Sequence, residues 1–248
     1  HHPLRRPADF ERLRDVSPED GLGYVLDAVR LARRELAGRV PLIGFAGAPW
    51  TLMSYMVEGG GSKSFSVAKR LLVEDPARAH VLLGRLARTA GEFLAAQVAA
   101  GAQAVQLFDS WAGALGPADF REFALPYLAE AVKIARGAGA PVIAFAPGAG
   151  WALEEIAAAT GADVIGIDWQ TDAAGARRRL ADRGVAFQGN LDPCWLYAAP
   201  SVIRERTRRM LEAFGGQSHI ANLGHGILPD VSPDHARAFV DAVKEWRL

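Results

Sequence analysis

The sequence predicts an α/β chain of the parallel type, a (β/α)8 barrel that here lacks its first strands. Three observations carry that expectation. Short, nearly continuous apolar runs alternate with longer segments of helical periodicity, as parallel strands buried on both faces require. The residues with unusual chemistry gather just after those runs, the strand end at which barrels build their sites. No GxGxxG fingerprint and no Walker A sequence occurs, which weakens an open nucleotide-binding sheet. A doubly wound sheet still fits the count of elements, and the position of the chemistry favours the barrel.

The strand-length runs are Val40–Phe45, Ala104–Phe108, Pro141–Phe145, Asp163–Ile167, Val185–Gln188 and His219–Leu223. Six runs leave an eight-stranded barrel two short. The first visible element is a helix without its strand, so the shortfall is expected ahead of residue 1. That helix spans Ser17–Leu36. Ser17-Pro18-Glu19-Asp20 supplies an N-cap, a proline at the first helical position and acids in the first turn. Leu22, Val25, Leu26, Val29 and Leu36 follow as its apolar stripe.

Asp75-Pro76 starts a long helix that stops at Gly101. Gly116-Pro117 starts another, with a kink expected near Pro126. Ser232-Pro233 starts the last, with Ala236, Phe239, Val240 and Val243 on its apolar side. Gly101-Ala102-Gln103 and Gly161-Ala162-Asp163 are similar exits into strands, and glycine there suits a left-handed cap. We expect one domain over residues 1–248.

Composition bounds the function. The chain has 248 residues, 50% hydrophobic and 23% charged, with a formal net charge of 0. Balanced charge argues against nucleic acid as the main partner. No run approaches the roughly 20 apolar residues of a membrane span, and the start, HHPLRRPADF, carries no secretory h-region. The one cysteine, Cys194, excludes an internal disulfide and a cysteine-rich zinc site and fits a reducing cytosol. It is expected to be a buried, inert thiol.

The segment Gly44–Gly61 is the densest in information. Small residues, Trp50, Tyr55 and a glycine triplet follow the first strand, the pattern of a strand opening into a ligand loop. Gly224-His225-Gly226 gives a histidine freedom to face a ligand after the last strand. Asp109-Ser110 ends another strand without a GxSxG elbow, so Ser110 is no hydrolase nucleophile, and Asp109 reads first as a loop anchor. Asp168 and Asp192 follow strands and suit turn capping. Phe45 and Phe108 stand at strand ends, where the core is their commoner fate. No metal is expected, since His219, His225 and His235 lie on different elements without ligand spacing.

Four motifs together carry a resemblance. GFAGAPWTLMSYMVEGGGS, LFDSWAG followed by FALPYL, QGNLDP and ANLGHGILPD resemble, in order, the uroporphyrinogen decarboxylase family of haem biosynthesis. The resemblance runs from Pro3 to Trp246 and corresponds to the C-terminal three-quarters of the family's sequence. It implies a (β/α)8 barrel, a cytoplasmic homodimer and an enzyme without cofactor. The implied reaction removes carboxyl groups from the four acetate side chains of uroporphyrinogen, giving coproporphyrinogen. Tyr55 matches the family's active-site tyrosine, Ser110 and His225 its substrate-binding serine and histidine, and Phe45 and Phe108 aromatic residues lining its cleft.

The family's arginine-rich segment and catalytic aspartate find no match here. Asp9, Asp15, Asp20 and Asp27 sit in no corresponding motif, so residues 1–248 are expected to be inactive alone. Pro147 stands where a lysine is common, and Trp111 where a histidine can occur. Two alternatives stay open: a non-catalytic tetrapyrrole-binding module and a corrinoid-linked methyltransferase of the related barrel group. The second is disfavoured because those enzymes bind zinc through a histidine–cysteine pair and a later cysteine. Here Ala144-Phe145-Ala146 stands near that strand end.

Overall fold

In a computed structural model, which describes residues 2–215 and 218–246, six strands form one parallel sheet. They are β1 (Ile43–Gly47), β2 (Ala104–Phe108), β3 (Val142–Phe145), β4 (Val164–Gly166), β5 (Ala186–Leu191) and β6 (His219–Leu223). Their spatial order is their chain order. Every crossover therefore steps the same way, as in a barrel wall. A doubly wound sheet reverses direction at a switch point and is excluded. β1 and β6 end the arc among the described residues.

Register fixes which residues share a face, because side chains alternate along a strand. One row runs Phe45, Gln106, Ile143, Val164 and Ala186. The next runs Phe108, Phe145, Gly166, Gln188 and Ile220. Both rows face the concave side. Val105, Leu107, Val142, Ala144 and Ile165 point the other way and are buried in the layer between sheet and helices.

The helices follow their caps. After the short α1 (Pro7–Glu11), Ser17 accepts from the Asp20 N–H and starts α2 (Pro18–Leu36), which bends at Leu22. Leu26 from its stripe is buried with Ala96 and Ala100. The expected ligand loop within Gly44–Gly61 is instead mostly helix: α3 (Pro49–Glu58) begins with a proline and ends at Gly59, whose φ of 85° is left-handed. Pro49, buried Trp50 and buried Met53 tie this segment to the core, and packing outweighed its glycine-rich appearance.

Next come α4 (Ser66–Glu74) and α5 (Pro76–Ala99), the latter capped by Asp75 on the Arg78 N–H. α6 (Pro117–Asp119) leads into one π turn, Phe120–Ala124, and then α7 (Leu125–Arg136). The π turn lies just before Pro126. That is the irregularity expected of a proline with no N–H to donate. α8 (Leu153–Thr160), α9 (Ala173–Arg179), α10 (Pro200–Phe214) and α11 (Pro233–Glu245) complete the outer layer.

Two expectations change. Gly161 is a left-handed cap at φ 57°, but Gly101 has φ 115° and follows a right-handed residue, Ala100, so the two exits differ. α11 buries Ala238 and Ala242 with Phe239 and Val243 beside them, and leaves Val240 exposed.

Candidate active site

A cavity of about 440 Å³ opens at the C-terminal ends of β2, β3, β5 and β6. Gln106 and Gln188 line it from within the sheet. Both are buried, and the Gln188 Nε2 donates to Gln106 Oε1 at 3.0 Å. Phe108, Phe145, Ile167 and Ile227 give it apolar walls, and Ser110, Asn222 and His225 bring polar tips. Mostly apolar walls with a few polar groups are the usual make-up of a small-molecule site.

The loop after β6 reaches this cavity because of Gly224. Its N–H donates to the Leu191 carbonyl at 2.7 Å, and a Cβ there would lie 2.3 Å from the Trp169 backbone nitrogen. Only glycine lets the β6 loop pass so close to the β4 loop. His225 follows at once, its ring edge-on to Trp169 with centroids 5.6 Å apart. Among the described residues, His225 and Ser110 make no side-chain hydrogen bond. Their polar atoms remain for a ligand.

Phe45 continues the wall. It stands edge-to-face with Phe108 at 5.8 Å, and Phe108 stands edge-to-face with Phe145 at 6.1 Å. Phe45 is 61% exposed, so the ring is displayed to solvent rather than spent on the core. A row of aromatic rings of this kind suits a flat, conjugated or heterocyclic partner.

Tyr55 lies elsewhere. It is exposed on α3 and borders a separate recess of about 330 Å³ with Pro3, Met56 and Gly59. Its ring is edge-on to Trp111 at 6.1 Å, and Trp111 follows Ser110 in the chain. The structure therefore gathers Phe108, Ser110 and His225 on one cavity, puts Phe45 one ring away, and connects Tyr55 to them through Trp111.

Asp109 is 1% exposed and accepts a hydrogen bond from the Thr51 hydroxyl at 2.8 Å. Burial pushes its carboxyl up to about 6, against which the Thr51 hydrogen bond acts. Asp168 accepts from the Gly148 N–H and the Thr171 hydroxyl, and Asp192 from the Cys194 N–H. These two aspartates cap loops. Cys194 is exposed, contrary to the buried thiol expected, because the loop after β5 runs over the surface. Its thiol is pushed up by partial desolvation and by the Asp192 carboxylate.

Among the described residues no group of three His, Cys, Asp or Glu side chains could hold a metal ion. His219 is stacked on Phe214 with Nε2 at the Gly189 carbonyl, and burial holds its pKa down. His235 Nδ1 lies 2.7 Å from the Leu196 carbonyl. The three C-terminal histidines serve three different places.

Sequence reading overlooked Gln106, Gln188 and Asn222. Each sits inside a run read as strand, where a polar residue looks like a minor interruption. A signal existed: Gln106 shares its face with Phe108, two residues on, so period-2 placement put an amide beside a candidate cleft residue.

The comparisons bear on the fold and the family. Among solved structures, a methyltransferase from Methanosarcina mazei superposes with a TM-score of 0.78 at 19% identity, covering 97% of this chain and 67% of that one. A B12-independent methionine synthase from Shewanella sp. W3-18-1 gives 0.63 at 12% identity, with 94% and 66% covered. At these identities the likeness is one of fold. Curated relatives are much nearer in sequence. Uroporphyrinogen decarboxylase from Hahella chejuensis is 51% identical over 247 residues, and that from Salinibacter ruber 53% identical over 245. Each alignment covers 98% of this chain and 69% of the relative. The family model described as uroporphyrinogen decarboxylase (URO-D) matches residues 1–246, and with half of all aligned positions identical in its curated members, the chain belongs to the uroporphyrinogen decarboxylase family.

Proposed function

We propose that this chain carries out the decarboxylation of uroporphyrinogen to coproporphyrinogen, a carboxy-lyase step of tetrapyrrole biosynthesis. The observation that supports it best is the cavity in which the unpartnered tips of Ser110 and His225 meet the Phe108 and Phe145 rings. In this reading the two polar tips hydrogen-bond carboxylates of the substrate, and Phe45 and Phe108 lie against the macrocycle. Tyr55, on its separate recess beyond Trp111, meets the part of the large substrate that extends past this cavity.

The chemistry needs no cofactor in this reading. Protonation of a pyrrole ring makes a cation. The electron pair of the breaking C–C bond then flows into that ring as carbon dioxide leaves, the methylene carbon takes up a proton to become methyl, and the ring gives back the proton it first took, which restores the pyrrole. The aromatic faces of Phe45 and Phe108 favour the transient cation electrostatically. Fixing a flexible polyanion in one pose supplies the rest by orientation.

The enzyme works as a homodimer in the cytoplasm, an extension supported by family membership. Among the described residues no helix is long and apolar enough to cross a membrane. The test is anaerobic incubation of the protein carrying residues 1–248 with uroporphyrinogen, with products separated chromatographically. Coproporphyrinogen above the protein-free control is the expected result, because the family match over residues 1–246 outweighs the inactivity expected from the unmatched arginine-rich segment and aspartate. A cooperatively folded protein that forms no coproporphyrinogen, whether or not it binds uroporphyrinogen, would overturn the reading.

A further inference from the structure

Tyr55 and Ser110 sit on different elements, α3 and the loop after β2. One hydroxyl ties those elements together. Thr51 Oγ1 donates to Asp109 Oδ1 at 2.8 Å and accepts from the Trp111 N–H at 3.2 Å. Its two partners flank Ser110 in the chain. Thr51 itself lies one helical turn before Tyr55, a spacing that puts both on one side of α3. Two further bonds close the clasp: Trp50 Nε1 donates to the Trp111 carbonyl at 2.9 Å, and the Ala48 N–H to the Phe108 carbonyl at 2.9 Å. The clasp is dry. Trp50 is 0%, Thr51 3% and Asp109 1% exposed.

We propose that Thr51 is a positioning residue for the reaction assigned above: its hydroxyl sets the Ser110 loop against the helix that carries Tyr55. The inference rests on that reading for the word reaction, and on geometry alone for the clasp. Three points support it. Asp109 accepts its side-chain hydrogen bond from Thr51, and its other carboxylate oxygen is buried without a partner. Losing the hydroxyl would leave the buried carboxyl with only the Thr51 backbone N–H acting on it, which favours movement of the loop. The same oxygen is the acceptor for the Trp111 N–H, so one atom determines both sides of Ser110. Misplacement by about 1 Å can cost on the order of 100-fold in rate.

The experiment compares Thr51→Val, which keeps the shape and loses the hydroxyl, with Thr51→Ser, which keeps the hydroxyl. Two readouts are taken: amide hydrogen exchange over residues 109–113, and kcat and KM for uroporphyrinogen. Thr51→Val is expected to speed exchange in that segment about tenfold and to lower kcat/KM at least about tenfold, with Thr51→Ser within about twofold of wild type on both. Unchanged exchange in Thr51→Val would overturn the clasp whatever the activity. Faster exchange with unchanged kcat/KM would make the residue structural only, which overturns the positioning role. If wild type itself forms no coproporphyrinogen, the functional reading fails, and hydrogen exchange still decides the clasp. Should Thr51→Val not fold, Thr51→Ala carries the same readouts, without branched carbons against Asp109.

Discussion

The side-chain amide of Gln97 takes both backbone polar groups of Phe45: its Oε1 accepts from the Phe45 N–H at 3.0 Å, and its Nε2 donates to the Phe45 carbonyl at 2.9 Å. β1 ends the sheet among the described residues, and strand ends of this kind leave backbone groups to be satisfied. A buried helix residue here does for one position what a neighbouring strand does for a row. The backbone beneath an exposed cleft aromatic is thereby fixed from behind.

Replacing Gln97 with methionine keeps the bulk and removes both bonds. Stability should fall by about 1–3 kcal/mol, read as a lower urea midpoint at unchanged slope. A midpoint equal to wild type would mean that water replaces the amide at no cost.

Asp109 makes stability depend on pH. Its carboxyl is raised by burial from 3.8 to about 6, so the folded state holds the proton more tightly than the unfolded chain does. The contribution is complete below pH 3.8 and is lost as pH rises through about 6. Asp109→Asn keeps an acceptor for Thr51 and has no proton to lose. Relative to wild type, it should gain up to about 3 kcal/mol between acid and neutral pH, measured by denaturant unfolding at several pH values. A constant difference between the two proteins across that range would show that Asp109 does not titrate there.

Gly224→Ala forces a methyl toward the Trp169 backbone, which cannot yield as a flexible side chain could. We expect a loss of about 1–3 kcal/mol and weakened tetrapyrrole binding, because His225 is displaced with its loop. Wild-type melting and wild-type binding together would show that the two loops separate easily.

Ser110→Ala and His225→Asn should act mainly on binding of the substrate. In the function proposed above Ser110→Ala removes one hydrogen bond to a substrate carboxylate and His225→Asn weakens another, so KM for uroporphyrinogen should rise about 10- to 100-fold with a smaller change in kcat. The double variant should be close to the product of the two, if the residues hold separate carboxylates. Unaltered KM in both single variants would remove these residues from the site.

Much of the frame was legible in the chain. The apolar runs at 104–108 and 219–223 are strands to the residue, and Ser17, Asp75 and Ser232 cap the helices their Pro-containing contexts announce. Val40–Phe45 slipped: the strand begins at Ile43 and runs to Gly47, because Gly44 and Gly47 look like a turn and are in fact the small residues of a close-packed strand. Gly44 illustrates the reason, since a Cβ there would meet the Gln97 side chain at 2.6 Å.

What the sequence determined by itself is what local rules govern: alternating elements, their caps, the glycine at 224 that a tight passage needs, and four motifs specific enough to name a family. What the tertiary structure decided is what depends on residues distant in the chain. Thr51 meets Asp109 across 58 positions, and Gln106 meets Gln188 across 82. The helix within Gly44–Gly61, the exposure of Cys194 and the separation of Tyr55 from the cavity of Ser110 and His225 belong to the same class. Periodicity and capping act over one or two turns of chain, whereas burial and hydrogen-bond partnership are set by whichever elements the fold stacks together. A sequence pattern can name a polar residue as available, but only packing decides whether it faces a ligand or clasps its neighbour.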